Sequence, residues 1–183
     1  MPRKPTTTRE AMVEGAFQLV RREGHAALTA RALAAELGCS TQPIMYQFPN
    51  LSELKELVYQ RADAFHTEFI FAGGDLLGIG LRYVQFAAEE PQLFRFLFQS
   101  GHFDGVSLQD LIRAPEAAPL LAAVEPSGIE DLETVAKRFE ALYVAVHGYA
   151  SLIANNAMPY DSKAVESTLL AIGEGLQRSG DQA

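Results

Sequence analysis

Tryptophan is absent and cysteine occurs once, at Cys39. A lone thiol excludes an internal disulfide framework and offers no cysteine pair at the spacing of a metal site. Long apolar runs are missing too, since none approaches the roughly 18–20 residues needed to span a bilayer. The start, MPRKPTTTRE, is basic, but no apolar run follows that would make it a secretion signal. Alternating apolar and polar stretches, the mark of half-buried strands, do not occur, and no segment repeats. These absences leave an all-α, cytoplasmic globular protein with no membrane partner. Its 48% apolar and 21% charged residues suit such a protein.

Chemistry-bearing constellations are also missing. His25, His66, His102 and His147 are scattered without ligand spacing, so no metal is expected. No Ser/His/Asp or Cys/His arrangement and no paired carboxylates suggest catalysis. Gly78-Ile79-Gly80 lacks the strand and the third glycine of a dinucleotide site, and Glu89-Glu90 reads as a solvated helix end. Neither an enzyme nor a cofactor is expected. An α-helical enzyme would need a buried acid–base cluster that the sequence does not announce.

Charge is unevenly spread. Residues 1–47 hold six Lys/Arg and four Asp/Glu, a net of +2, whereas residues 48–183 hold nine and nineteen, a net of −10. A polyanion would be repelled by the acidic body and met by the N-terminal end.

Helical periodicity runs almost throughout. Val13, Phe17 and Val20 form the stripe of a first helix that Gly24 stops. Thr29 is placed to cap a second, in which Leu33 and Leu37 share a face, and Gly38 closes it. Ser40 is placed to cap a third, short helix ending at Phe48. A long helix is expected over 51–72, with Leu54, Leu57, Val58, Ala62 and Phe65 inward, and Gly73-Gly74 as a turn. An amphipathic helix through LLGIGLRYVQFAAEE and another opened by Pro91 follow. Residues 100–127 carry short helical pieces at best, and two strong helices, about 130–156 and 162–178, finish the chain.

The stretch ELGCSTQPIMYQF holds a proline inside a short helix. With Ser40 as N-cap, Pro43 is the third helical residue, where the backbone N–H has no internal partner, so the helix is not broken. A helix of two turns is unstable alone and must lean on the preceding one through Leu33, Leu37, Ile44 and Phe48. Helix, tight turn and short helix form a helix-turn-helix, whose second helix directs its N-terminal residues into the DNA major groove. Thr41, Gln42 and Pro43 offer there a hydroxyl, an amide suited to adenine and an apolar face for a thymine methyl. An ordinary helical hairpin in a core fits the same pattern.

From Thr8 to Leu57 the chain resembles the TetR (tetracycline-repressor-type) family of bacterial transcriptional regulators. Thr29, Ala34, Gly38, Ser40, Tyr46, Phe48, Asn50 and Leu54 stand where the family pattern expects them. Met45 replaces the family's usual tyrosine, and Leu51 the lysine that commonly opens the fourth helix. RYVQFAAEEPQLFRFLF and LYVAVHGYASLI resemble the Pro-x-x-Phe-Arg and Trp-x-x-x-His-Gly elements of a subgroup of TetR ligand domains, with Tyr143 in place of the tryptophan. The resemblance implies a homodimer built on the last two long helices, double-stranded operator DNA as partner, and a small-molecule effector in the C-terminal domain. Repression is the family default.

On that resemblance residues 1–50 form a DNA-binding head and 51–183 a ligand-binding and dimerisation domain. The expected DNA contacts are Arg3 and Lys4 in the arm, Thr29 and Arg31 on the second helix, and Ser40, Thr41, Gln42, Pro43, Tyr46 and Gln47 along the third. Arg9 is a further candidate of the arm, and Lys55 is a substitute cation on the fourth helix. Phe86, Phe94, Phe98, Tyr143 and His147 are candidates to line the effector cavity, against the plainer reading that aromatic stripes at helical spacing are core. Cys39 reads as a small apolar filler. A helical ligand-binding or scaffold dimer with a decayed DNA head, suggested by Met45 and Leu51, is the alternative.

Overall fold

A computed structural model describes residues 8–101, 108–114, 117–125 and 131–180. Every regular element among them is helical: α1 (Arg9–Glu23), α2 (Ala30–Glu36), α3 (Thr41–Gln47), α4 (Leu51–Phe71), α5 (Leu76–Glu89), α6 (Pro91–Gln99), α7 (Leu108–Arg113), α8 (Ala118–Val124), α9 (Leu132–Ala154) and α10 (Ser162–Gly180). The all-α expectation holds, and the expected ends agree to within about two residues. A 3-10 turn, His25–Ala27, between α1 and α2 was not read from the sequence. Within 100–127, α7 and α8 are the short helical pieces.

The chain divides into two compact units, residues 1–67 with 90–102 and residues 68–89 with 103–183. In the first, α1 buries Met12, Ala16, Phe17, Leu19 and Val20, α2 buries Leu33 and Ala34, and α3 buries Ile44. Of the residues expected inward on α4, Leu54, Val58 and Ala62 are buried, while Leu57 and Phe65 are half-buried. Phe65 meets Phe17 edge-on, with ring centroids 5.8 Å apart.

Helix α6 belongs to this first unit and packs on α1. Glu90, at its N-cap, accepts two hydrogen bonds from Arg21 Nε at 3.0 and 2.8 Å and a third from Nη2. Those bonds raise the Arg21 pKa above its ordinary value. At Gly24 (φ 87°) the left-handed conformation favours glycine, while the nearest atom to an added Cβ, Gln92 Oε1 at 2.7 Å, is the movable end of a side chain. His66 is buried on α4 with its ring edge-on to Phe98 at 5.2 Å.

In the second unit α5 packs against α9 and α10, and α9 also packs on α7 and α8. Val84, Ile153, Val165 and Leu169 form one apolar cluster, and Ile112, Val124, Val135 and Phe139 another. The end of α4 at Glu68–Phe71 lies here, with four carbonyls lacking helical partners. Glu68, Ile70 and Phe71 give theirs to the N–H groups of Ala72, Gly73 and Gly74. The Phe69 carbonyl accepts from Arg82 Nε at 2.5 Å, while the guanidinium lies over the Phe69 ring at 4.4 Å. The turn into α5 is so tight that a Cβ on Gly78 would sit 2.2 Å from the Gly73 carbonyl oxygen. Asp75 then caps α5 by accepting from Gly78 N at 2.7 Å.

Two predictions follow from these contacts. Gly78→Ala must force backbone apart, costing roughly 1–3 kcal/mol in urea denaturation. Burial pushes His66 from 6.5 down to about 4. Between those values the unfolded chain binds a proton that the folded chain does not, so this contribution is complete above pH 6.5 and lost as pH falls toward 4. Stability should drop by roughly 2–3 kcal/mol between pH 7 and 4.5 through this group, and His66→Leu should remove that part of the slope.

Candidate nucleic-acid interface and effector region

A cap and a turn fix α2 and set up α3. The Thr29 hydroxyl accepts from Ala32 N at 3.1 Å. Gly38 takes the left-handed conformation (φ 61°) that turns the chain, and Cys39 N donates to the Ala34 carbonyl at 2.9 Å. Ser40 holds the N-cap position of α3, but its side chain makes no cap hydrogen bond, a correction to the expected cap. Its hydroxyl stands exposed beside the free N–H groups of the first turn.

Pro43 is the third residue of α3, as the count from Ser40 requires. Ile44 and Phe48 are both 0% exposed, so this face is fully spent on packing. The opposite face carries Gln42, exposed, and Tyr46, which is 83% exposed, and Thr41 is exposed at the leading end. Tyr46 therefore does not cap the small core. Pro43 and Gln47 are half-buried, and Met45 is 43% exposed. Thr29, Arg31 and Lys55 are exposed as well. Arg3 and Lys4 lie outside the described residues. Arg9 pairs with Glu53 and stacks over the Phe48 ring at 4.6 Å, tying α1 to the end of α3. Arg22 pairs with Glu36 at 2.8 Å and joins α1 to α2. Lys55 edges a small cleft of about 300 Å3 with His25, Tyr59 and Phe96.

The five residues expected at the effector cavity fall in different units. Phe94 and Phe98 are in the first, where their rings meet at 4.9 Å and Phe94 is fully buried. Phe86, Tyr143 and His147 are in the second. Phe86 is buried against Phe69, edge-on at 5.4 Å. Tyr143 and His147, one turn apart on α9, stack at 5.4 Å and 24°. Tyr83 on α5, not singled out from the sequence, meets His147 Nδ1 through its hydroxyl at 2.9 Å. No local signal marked it, because α5 also carries Arg82, Gln85 and Glu89. Burial lowers the His147 pKa, and burial raises that of Tyr143 against the opposing hydrogen bond with Tyr83. At neutral pH this node holds a neutral imidazole and two phenols: polar groups able to donate or accept inside an apolar unit.

Among the described residues no three His, Cys, Asp or Glu side chains converge as metal ligands would. Nor is any described helix long and apolar enough to cross a membrane.

A family model described as the tetracyclin repressor-like C-terminal domain matches residues 76–172. The fold is similar to the structure of a member of the TetR family from Streptomyces coelicolor A3, with a TM-score of 0.57 and 19% identity over 90% of this chain and 96% of that one. No curated protein matches the sequence.

Proposed function

The chain belongs to the TetR family of transcriptional regulators, and on that premise we propose that it is a homodimeric repressor that binds a palindromic operator and leaves it when a small molecule binds. The observation that carries this reading is α3: Ile44 and Phe48 are fully buried, while Thr41, Gln42 and Tyr46 face outward. A short helix anchored on one face and free on the other is what major-groove docking needs. Gln42 reads a base, the Tyr46 hydroxyl and Lys55 hold phosphates, and Arg31, Ser40 and Gln47 add backbone contacts. Residues 1–50 act as the head and 51–183 as the regulatory and dimerising part.

Dimerisation through α9 and α10 is supported by their outward faces. Val144 (57% exposed), Gly148 and Leu152 (49%) follow one another at helical spacing on α9, and Leu170 on α10 is 47% exposed. Two such heads would read half-sites about 34 Å apart. The effector is met by Phe86, Tyr143 and His147, with Tyr83 fixing the imidazole. It acts by binding one head spacing more tightly than the other, because equal affinity would shift nothing.

The test is selection of binding fragments from the DNA flanking its own gene, followed by titration. Gln42→Ala should weaken the selected site by roughly 10- to 100-fold and blunt discrimination at one base position. Tyr46→Phe should weaken selected and unrelated DNA alike, by about fivefold. Neither substitution should move stability by more than about 0.5 kcal/mol. Absence of sequence-selective binding at low salt would leave a helical ligand-binding dimer with a decayed head. Leu152→Asp should halve the mass measured by analytical ultracentrifugation and abolish operator binding; an unchanged mass would remove α9 from the interface.

A further inference from the structure

A groove of about 710 Å3 runs between α7, α8 and the first half of α9, within the second unit. It shares no residue with Tyr83, Tyr143 and His147. Its size lies within the ~300–1,000 Å3 range of small-molecule sites.

The wall chemistry is restrictive. Ile112, Ala114, Ala118, Leu121, Leu132 and Ala136 supply the apolar surface, and among the described residues no aromatic side chain lines it. A flat aromatic ligand would find no ring to stack on or meet edge-on, and so would gain only what burial gives. An aliphatic chain needs only burial, and the alanines leave room for one to lie along the groove. Beneath it Ile112 (4% exposed) joins the cluster with Val124, Val135 and Phe139, so the floor is firm. At the opposite extreme, Leu132 is 69% exposed at the first position of α9, a large apolar side chain with surface left to cover.

Charge decides the rest. Among the described residues the rim carries Arg113 and Lys137 against Glu133 and Glu140, two charges of each sign. Lys137 and Glu133 compensate each other at 2.7 Å. An anionic head would meet Glu140 as well as Arg113, and a cationic head the reverse. Neither gains what a one-signed rim would give.

We propose that this groove binds a single aliphatic chain whose polar head carries no net charge. The proposal goes beyond operator binding and does not depend on it, because it is measured on the protein without DNA.

The probes are the 1-alkanols from hexanol to decanol, titrated into the full-length, methyl-labelled chain and followed at Ile112, Leu121 and Leu132 by NMR. Those methyl resonances should move together, with affinity rising about fourfold for each added methylene. Octanoate, octylammonium and the aromatic 2-naphthol should each bind several-fold more weakly than octanol. Ala136→Phe, which fills the groove, should abolish the shifts. Leu132→Gln alters an exposed residue that the fold does not need, and should weaken octanol several-fold with the helical circular dichroism unchanged. Affinity that ignores chain length, tighter binding of 2-naphthol or of either charged probe, or an undiminished response in Leu132→Gln overturns the proposal.

Discussion

Helix α3 has seven residues and cannot hold itself together. Its existence rests on burying Ile44 and Phe48 completely, and the surrounding head is arranged around that need. The Thr29 cap starts α2 in the right place, the left-handed Gly38 sets the turn, and Arg9 covers the Phe48 ring. One consequence is functional. Because packing takes one face of α3 entirely, Gln42 and Tyr46 have nowhere to go but outward. The same constraint that stabilises the helix presents its side chains.

Several polar groups inside each unit meet specific partners. Arg21 meets Glu90 through both ends of its guanidinium, and Arg82 takes the one carbonyl of the α4 terminus that no backbone N–H reaches. Such partners add little net stability compared with apolar packing, but losing one strands a partly buried charge or dipole. They specify where α6 sits on α1 and where α4 ends. The Tyr83–His147 pair does the same between α5 and α9 in the second unit.

Much of this was legible in the sequence. Helical period, Thr29, Gly38 and the count from Ser40 to Pro43 locate the head, because caps and turns are local physics. Family resemblance over Thr8–Leu57 gave the α2–α3 pair an expected role, which the pattern alone left open. What could not be read was which helices pack together. The apolar stripe of α6 shows that it is buried on one face and is silent about the partner; that α6, with Phe94 and Phe98, belongs to the first unit is a tertiary fact. Tyr83 escaped notice for the same reason, since a hydroxyl facing an imidazole 64 residues away leaves no local trace. The missing cap bond of Ser40 is a matter of one side-chain rotation, below what sequence can resolve. The groove between α7, α8 and α9 arises from small residues on separate helices, each unremarkable in isolation.

The central claim is that the leading end of α3 enters the major groove. A photo-crosslinking amino acid placed at position 42, and as control at position 160 between α9 and α10, tests it on the selected DNA site. Crosslinks from position 42 to bases of both half-sites, with none from position 160, are the expected result. Retained DNA binding with no crosslink from position 42, or with crosslinks from position 160 in its stead, would contradict the account.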